Sequence, residues 1–330
     1  MQRLFNNAAA APQGWYWLLR SREVRRGRVT AAEIFGHHLA VYRGDDGRVA
    51  ALDAHCPHMG AHLAEGRVEG CELRCFFHHW RFDSAGECTD MPALGGPPPF
   101  PVRARSWTVA EKYGLIWIWN GVAPPGPLPF VPELGEGDVA SALANRFRKP
   151  CHPHVMLINA IDEHHFNSVH SLPVKLRMAT REVDADRIEF SNTTMVPAGS
   201  ILKRFYRGPL TYSMCYWNAA TGTVTLGPDF LHFYLMFALR PDGRGGTEGQ
   251  SILITRKRNP VVNALLLALT RVVAAYFAKG DTRVFRSIRF QLRTPTEADH
   301  AIIDFIDHTE RQREGVLPMK DDRVEAEVTA

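Results

Sequence analysis

The sequence lacks the features that mark several large classes of protein. Lys and Arg number 39 against 35 Asp and Glu, and a net charge of only +4 does not indicate a nucleic-acid partner. Its six cysteines follow no disulfide-framework spacing, which favours free thiols in a reducing compartment. The N-terminus has no apolar core long enough for a signal peptide, so we expect a cytoplasmic protein.

Nucleotide-binding and membrane-spanning motifs are also missing. There is no strand–GxGxxG–helix unit, and the glycines at 243–246 fall in an expected hairpin turn, so the chain is not expected to bind a nicotinamide itself. Only 261–277 resembles a membrane span. It is short for that role and contains Asn263 and Arg271. We therefore expect a buried or surface-packed helix there and no membrane partner.

Two short segments each offer one thiolate and one imidazole: Cys56-Pro57-His58 and Cys75-Phe76-Phe77-His78. Zinc is one alternative for such a set, but zinc modules usually pair Cys with Cys and His with His. One of each in both segments favours a centre with two unlike irons. The two Cys would hold one iron and the two His the other, as in a Rieske [2Fe–2S] cluster.

A second set of candidate ligands follows in the sequence. Asp162 and His165 are three residues apart and would share a helix face. His170 is five residues beyond His165, about 140° away on a regular helix, so the helix predicted at 156–169 must widen or end near 167–168. Two His from one segment and one distant carboxylate form the facial triad of non-haem Fe(II) oxygenases. A helix that merely carries structural histidines is the alternative.

The pattern of strands and turns predicts an α+β fold. Short β-prone runs with turns at Asp46-Gly47 and Tyr113-Gly114 indicate an N-terminal antiparallel β domain. The proline-rich stretch at 123–129 cannot continue a sheet, so we predict domains at 1–128 and 129–330. In the second we expect an antiparallel sheet flanked by helices (helix-grip-like), with helices near 156–169, 261–278 and 297–311.

These two motifs, in this order, resemble the oxygenase (alpha) component of Rieske non-haem iron oxygenases over essentially the whole chain. Rieske proteins of respiratory complexes carry an extra Cys in each loop, and neither loop has one here. One departure from the family is His79, where the family often has Gly.

The resemblance implies a role for each residue that matches a family motif. Cys56, His58, Cys75 and His78 would hold the cluster, and His165 and His170 the iron. Asp162 would bridge to His78 of a neighbouring subunit in a homotrimer, and Asn159 would lie near the iron. For the third iron ligand we expect Asp281, with Asp299 and Asp304 open as alternatives.

The function implied by the resemblance is a monooxygenase or dioxygenase (EC 1.14 type) with one [2Fe–2S] cluster and one mononuclear Fe(II) per chain. O₂ and a hydrophobic or ring-bearing small molecule, as in aromatic hydrocarbon catabolism, would be its substrates. A separate reductase, with or without a ferredoxin, would bring electrons from NAD(P)H. Oxidative O- or N-demethylation is the related alternative. A Rieske electron-transfer protein without oxygenase activity is the alternative from another class, and substrate and redox partner are left undetermined.

Overall fold

The computed structural model describes residues 3–122, 124–170, 176–196 and 201–317. They separate into two compact units, one formed by the described residues within Met1–Gly14 and Gly126–Val316, the other by Trp15–Pro125 with Leu317. The change of unit falls inside the proline-rich stretch. The first residues of the chain differ from the prediction, because they belong with the larger unit. There Phe5 lies edge-on against the rings of Phe290 and Phe305.

The smaller unit is built of short antiparallel strands arranged in three sheets. Their orders are β1-β11-β10, β2-β3-β4-β9 and β5-β6-β7-β8. Three 3-10 helices, Ser21–Glu23, Leu63–Glu65 and Pro92–Leu94, lie between strands. The strands are β1 Gly14–Arg20, β2 Val29–Ile34, β3 His37–Arg43, β4 Val49–Asp53, β5 Arg67–Glu69, β6 Glu72–Arg74, β7 Arg81–Phe82, β8 Cys88–Asp90, β9 Ser106–Trp107, β10 Val109–Lys112 and β11 Leu115–Asn120.

Both hairpins expected from the turn residues are present. Strands β3 and β4 pair across a turn in which Gly47 has φ 81°. Strands β10 and β11 pair with Lys112 opposite Leu115, and the two residues between them, Tyr113 and Gly114, have φ 58° and 74°. Positive φ at both central residues is the geometry that the right-handed twist of a two-residue hairpin requires.

The larger unit contains a seven-stranded antiparallel sheet of order β12-β18-β17-β16-β15-β14-β13, with helices packed on it. Its elements are β12 Val139–Lys149, α1 Pro153–Asn159, α2 Glu163–Ser168, β13 Ala179–Glu182, β14 Arg187–Met195, β15 Pro209–Trp217, β16 Thr221–Pro228, β17 Phe233–Pro241, β18 Thr247–Arg256, α3 Pro260–Ser287 and α4 His300–Arg311, with 3-10 turns at Ile201–Arg204 and Glu297–Asp299. A core that includes Ile161, Phe190 and Phe305 fills the space between the sheet and α1, α2 and α4.

The single helix predicted at 156–169 is wrong, because the segment forms two short helices. The hydroxyls of Tyr216 and Tyr212 on β15 donate to the carbonyls of Leu157 and Ala160, at 2.5 and 2.8 Å. These bonds fix the carbonyl groups at the end of α1, where the Leu157 carbonyl also accepts from the Ala160 N–H at 3.1 Å. The next helix, α2, starts at the Asp162 cap and ends at Ser168, which meets the expectation that helical geometry ends before His170.

Helix α3 is longer than predicted and lies at the surface of the larger unit. It runs to Ser287, beyond the expected end near 278, and only Thr270 and Phe285 on it are fully buried. By length and composition α3 could cross a membrane, since its most apolar 18-residue window has a mean hydropathy of 1.9 and is 6% buried. Of the two alternatives expected for this segment, a buried or a surface-packed helix, the structure shows the surface-packed one. One side of α3 packs on β12, β17 and β18, and the opposite side is exposed.

Candidate metal centres

The two cysteines proposed as cluster ligands lie inside the smaller unit. Cys56 and Cys75 are only 4% and 2% exposed, and their thiols are within hydrogen-bonding distance of each other. Backbone N–H groups of His58 and Met59 point at the Cys56 sulfur, while burial raises the pKa of that thiol to about 11. A thiolate at this depth needs cationic compensation, which bound iron would supply.

The two partner histidines lie at the surface. The imidazoles of His58 and His78 converge, with ring centroids 4.5 Å apart, and both residues are exposed. Trp80 stacks flat on His58, with 4.2 Å between centroids and 9° between planes. The stack fixes the orientation of the His58 ring, a contact that sequence analysis missed.

Backbone geometry favours glycine at position 79, directly after the candidate ligand His78. His79 has φ 63°, in the left-handed region that a non-glycine residue enters at a cost of roughly 1–2 kcal/mol. The following residue closes the loop, because the Trp80 carbonyl accepts from the Cys75 N–H at 2.9 Å. Position 79 is therefore a turn at which the chain is strained.

The arrangement of the four candidate ligands fits a two-iron cluster better than a single zinc. Donors that share one tetrahedral zinc lie about 3.4–3.8 Å apart. Among the described residues, the set of three or more donors that all lie within 4.8 Å of one another is that of His165, His170 and Asp281. The cysteine pair and the histidine pair instead form two sub-sites, one buried and one exposed.

The second candidate centre joins α2, the residues after it, and α3. Asp281 Oδ1 lies 2.8 Å from His165 Nε2 and 3.0 Å from His170 Nε2, and the two nitrogens are 3.0 Å apart. Metal–ligand bonds of about 2.1 Å place adjacent octahedral ligands about 3.0 Å apart and tetrahedral ligands about 3.4 Å apart. The three spacings match one face of an octahedron.

Hydrogen bonding alone accounts poorly for this cluster. If both imidazoles donated to Asp281, two N–H groups would face each other across 3.0 Å in a buried site. A cation at their centre removes that conflict and uses all three lone pairs. Burial lowers the pKa of His170, with the neighbouring His165 acting in the same direction against Asp281, and this favours the neutral imidazole that metal binding requires.

Of the three carboxylates considered for the third ligand, the structure brings Asp281 to the histidines. Asp299 instead accepts hydrogen bonds from the Thr296 N–H and hydroxyl, both at 2.7 Å. Asp304 lies within α4, and among the residues that the structure describes it belongs to no group of potential metal ligands.

Gly280 allows α3 to approach the site. A Cβ at this position would lie 3.1 Å from both Cε1 and Nδ1 of the His170 ring. Glycine inside a helix costs roughly 0.5–1 kcal/mol relative to alanine, so its place beside Asp281 needs a packing reason. That reason is the His170 ring, which lies where a side chain would be.

Asp162 and Asn159 lie beside the histidines in different ways. Asp162 caps α2, with Oδ1 accepting from the N–H groups of His164 and His165 at 2.9 and 3.2 Å. It thereby orients the first turn that carries His165. The Asn159 amide Nδ2 lies 3.2 Å from His165 Nε2 and is buried at the same point.

A cavity of about 270 Å³ opens onto the triad. Its lining is mainly apolar and aromatic and includes Phe147, Phe166, Tyr212, Phe237 and Phe277. Of the aromatic residues at 230–237, Phe237 lines the cavity and Phe230 is 67% exposed. Sequence analysis missed the α3 wall, although Ala274, Phe277, Asp281 and Phe285 recur at helical spacing on one face.

Comparison with known protein families matches residues 14–104 to the Rieske [2Fe-2S] domain, a range that includes all four candidate cluster ligands. The chain is 39% identical to cholesterol 7-desaturase nvd of Bombyx mori over 48% of this chain and 36% of that protein. It is 33% identical to a probable 3-ketosteroid-9-alpha-monooxygenase, oxygenase component, of Rhodococcus rhodochrous over 63% of this chain and 56% of that protein. The chain thus matches about a third to just over half of the length of these relatives.

Solved structures show the same fold over nearly the full length. Dicamba monooxygenase bound to dicamba aligns with a TM-score of 0.62 at 20% identity, covering 90% of this chain and 97% of that one. Pseudomonas putida CBB5 NdmA, a QL mutant with theobromine, aligns with a TM-score of 0.66 at 15% identity, covering 91% and 94%. Residues 14–104 therefore match a Rieske [2Fe-2S] domain in sequence, and the chain shares the fold of these solved structures.

Proposed function

We propose that the chain is the oxygenase component of a Rieske-type system that hydroxylates a hydrophobic small molecule with O₂. The observation that carries the proposal is the triad of His165, His170 and Asp281, whose donors lie 2.8–3.0 Å apart at the wall of a cavity. A Rieske electron carrier has no use for a second metal centre beside an apolar cavity. The triad therefore favours the oxygenase over the carrier.

Each residue of the triad has a separate task in this proposal. When bound, iron supplies O₂ activation at the triad, and the cluster supplies one electron at a time. His165 and His170 would hold the iron as neutral imidazoles, and Asp281 would contribute one negative charge. The aromatic wall around them would exclude bulk water from the reacting C–H bond.

The cavity supports a small hydrophobic substrate. Its volume of about 270 Å³ and its aromatic lining suit a ring system that makes mainly apolar contacts. The relatives named above are a cholesterol desaturase and a 3-ketosteroid monooxygenase, and their names support the same substrate class. Hydroxylation at a methyl group on oxygen or nitrogen would instead lead to demethylation.

The surface around the cluster histidines supports a subunit contact. Met59, Phe76 and Phe77 are 66%, 51% and 51% exposed and flank His58 and His78. Such an apolar rim suits a protein partner. In our proposal the partner is the next subunit of a head-to-tail homotrimer, because heterologous contacts of this kind close into a ring.

Asp162 would face that contact from the neighbouring subunit. Both of its hydrogen bonds use Oδ1, so Oδ2 is left for the imidazole of His78 across the interface. Electrons would come from NAD(P)H through a separate reductase, since the sequence carries no dinucleotide-binding unit.

The first experiment is metal and sulfide analysis of anaerobically purified protein. The oxygenase requires about three iron atoms and two labile sulfides per chain, and the carrier about two of each. Incubation with ¹⁸O₂ and a chemically reduced cluster, followed by mass spectrometry over a steroid and aromatic panel, then detects the product. A labelled hydroxyl marks hydroxylation and released formaldehyde marks demethylation. Two irons and no labelled product would contradict the proposal.

The second experiment tests the bridge. Asp162→Asn keeps an oxygen that can cap α2, so both metals should be retained. Turnover coupled to cluster oxidation should fall by about a hundredfold or more, because the charged link is lost. Unchanged coupling in the variant, or a fully active monomer on a sizing column, would contradict the inter-subunit route.

A further inference from the structure

The outer face of α3 carries a continuous stripe of exposed apolar side chains. At 100° per residue these positions fall within about 80° of the helix circumference, along roughly 22 Å of its length. Large apolar residues exposed together in this way cost solvation free energy and mark a contact surface. The stripe consists of Val261, Leu265, Leu269, Val272 and Tyr276, with exposed fractions of 79%, 60%, 41%, 69% and 58%.

Exposed cations border the stripe at both ends. Arg258 lies just before the helix, and Lys279, Arg283 and Arg286 continue the same face beyond Tyr276. The flanking segments add Arg256, Arg289 and Arg293, all exposed, while Lys257 pairs with Asp138 at 2.6 Å. Across 256–296 the only carboxylate is Asp281, which lies in the triad on the inner side. The surface is therefore apolar in the middle and positive around it.

This charge pattern favours an anionic lipid surface over a second copy of the chain. Two copies that met through this face would bring the same cations together. Repulsion between these like charges would oppose the contact. Anionic headgroups neutralise those cations, while the long Lys and Arg side chains keep their charges at headgroup level.

Helix α3 cannot cross the membrane and keep its other contacts. Its inner face packs on β12, β17 and β18, and Asp281 contacts the two histidines. A helix with one side on the protein and an apolar stripe on the other suits the interfacial layer, where it lies parallel to the surface.

We propose that the outer face of α3 binds membranes that contain anionic phospholipid, with the stripe in the interfacial layer and the flanking cations on the headgroups. This departs from the sequence-based expectation of no membrane partner. The inner face of α3 lines the cavity through Phe277 and Asp281. A lipid-dissolved substrate would thus enter beside the helix, a corollary that rests on the proposed function; the binding itself does not.

Vesicle sedimentation with the full chain tests the binding without turnover. We expect the purified protein to sediment with vesicles of phosphatidylcholine containing about 30% phosphatidylglycerol, and weakly with phosphatidylcholine alone. Leu265→Gln with Val272→Gln should weaken binding by about tenfold or more, because both side chains leave the interfacial layer. Arg258→Glu with Arg286→Glu should remove the preference for the anionic lipid and its sensitivity to salt.

The matched control replaces two similarly exposed apolar residues elsewhere in the same unit. Met195→Gln with Phe230→Gln changes side chains that are 62% and 67% exposed and lie off α3, and it should bind like the wild type. Iron content and far-UV circular dichroism check that every variant folds. Absence of wild-type binding, or equal binding by the Leu265/Val272 variant, would overturn the proposal. So would a change in oligomeric state of that variant without any vesicle binding, which would identify the face as a subunit contact.

Discussion

The candidate cluster ligands and the candidate iron triad differ in the length of chain that supplies them and in their exposure. The four candidate cluster ligands come from within 56–78, on two neighbouring loops, whereas His165 and Asp281 are 116 residues apart and come from two helices. His58 and His78 are exposed, whereas His165 and His170 are 5% and 8% exposed. The proposed function accounts for this difference, since an electron-accepting centre would need access to a partner and a centre that binds O₂ and substrate would need enclosure.

The largest expected effect comes from a substitution that removes the mononuclear iron and leaves the cluster in place. Asp281→Ala removes the only carboxylate of the triad, so the mononuclear iron should be lost while the cluster is kept. Iron analysis should fall from about three to about two atoms per chain, and product formation should stop. Asp304→Ala is the control, and loss of iron in that variant instead would move the ligand to α4.

The reciprocal variant removes the cluster alone. Cys75→Ser takes away one of the two buried sulfur donors, and the visible absorption and paramagnetic resonance of the reduced cluster should disappear. Iron should fall to about one atom per chain, because the triad lies on the other unit. Cys71→Ser, an exposed cysteine on the preceding turn, should keep the signals. Joint loss of both irons in Cys75→Ser would show that the centres are not independent.

Acid should destabilise the larger unit through its buried histidines. Burial lowers the pKa of His152 to about 4, and that of His154 lies well below its usual value. The unfolded chain therefore takes up protons first, so stability is complete above about pH 6.5 and falls as the pH drops toward 4. For His152 alone the loss is on the order of 3 kcal/mol.

Hydrogen exchange by mass spectrometry, corrected for the intrinsic effect of pH, follows this loss in β15 and β16 between about pH 7 and 5. His152→Asn keeps a residue that can cap α1 and does not titrate, so its dependence on pH should be shallower. Equal slopes for wild type and variant would contradict the assignment.

A smaller effect is expected at Gly280. Gly280→Ala raises helix propensity but places a Cβ about 3.1 Å from the His170 ring. Iron affinity should fall by about tenfold, because the His170 ring must shift. The melting temperature should stay the same or rise, because alanine stabilises the helix. Ala275→Gly on the exposed side of α3 is the control. It should lower the melting temperature and leave iron affinity unchanged. Unchanged iron affinity in Gly280→Ala would show that the ring has room to move.

The smallest expected effect is at His79. His79→Gly should stabilise the smaller unit by up to about 1 kcal/mol, since glycine adopts φ 63° without strain. His79→Ala removes the imidazole and keeps the strain, so it should give no gain. A shift in cluster potential shared by both variants would reveal an electronic role of the imidazole.

Much of the smaller unit was predictable, because its signals are local. The ligand spacing and the two glycine turns each concern a few adjacent residues, and local chemistry decides their geometry. The structure of the larger unit was harder to predict, because it depends on contacts between residues far apart in the sequence. The break between α1 and α2 had one local signal, since Asp162 is a good capping residue, but the tyrosine hydroxyls that hold it come from β15.

Helix α3 shows the limit of sequence patterns most clearly. Its apolar run predicts a helix, and the spacing of Phe277, Asp281 and Phe285 shows which residues share a face. The pattern does not say which face meets the sheet, because both are apolar. For the third ligand the sequence favoured Asp281 but left Asp299 and Asp304 open, since all three are acidic residues in or beside helices, and the fold places Asp281 beside the two histidines.

The distance along the chain between His165 and Asp281 also sets an order of events during biosynthesis. Under the proposed function, the candidate cluster donors are all made early, within 56–78, whereas the candidate iron site is incomplete until α3 has been made and packs beside α2. A chain truncated before α3 should therefore lack the mononuclear iron.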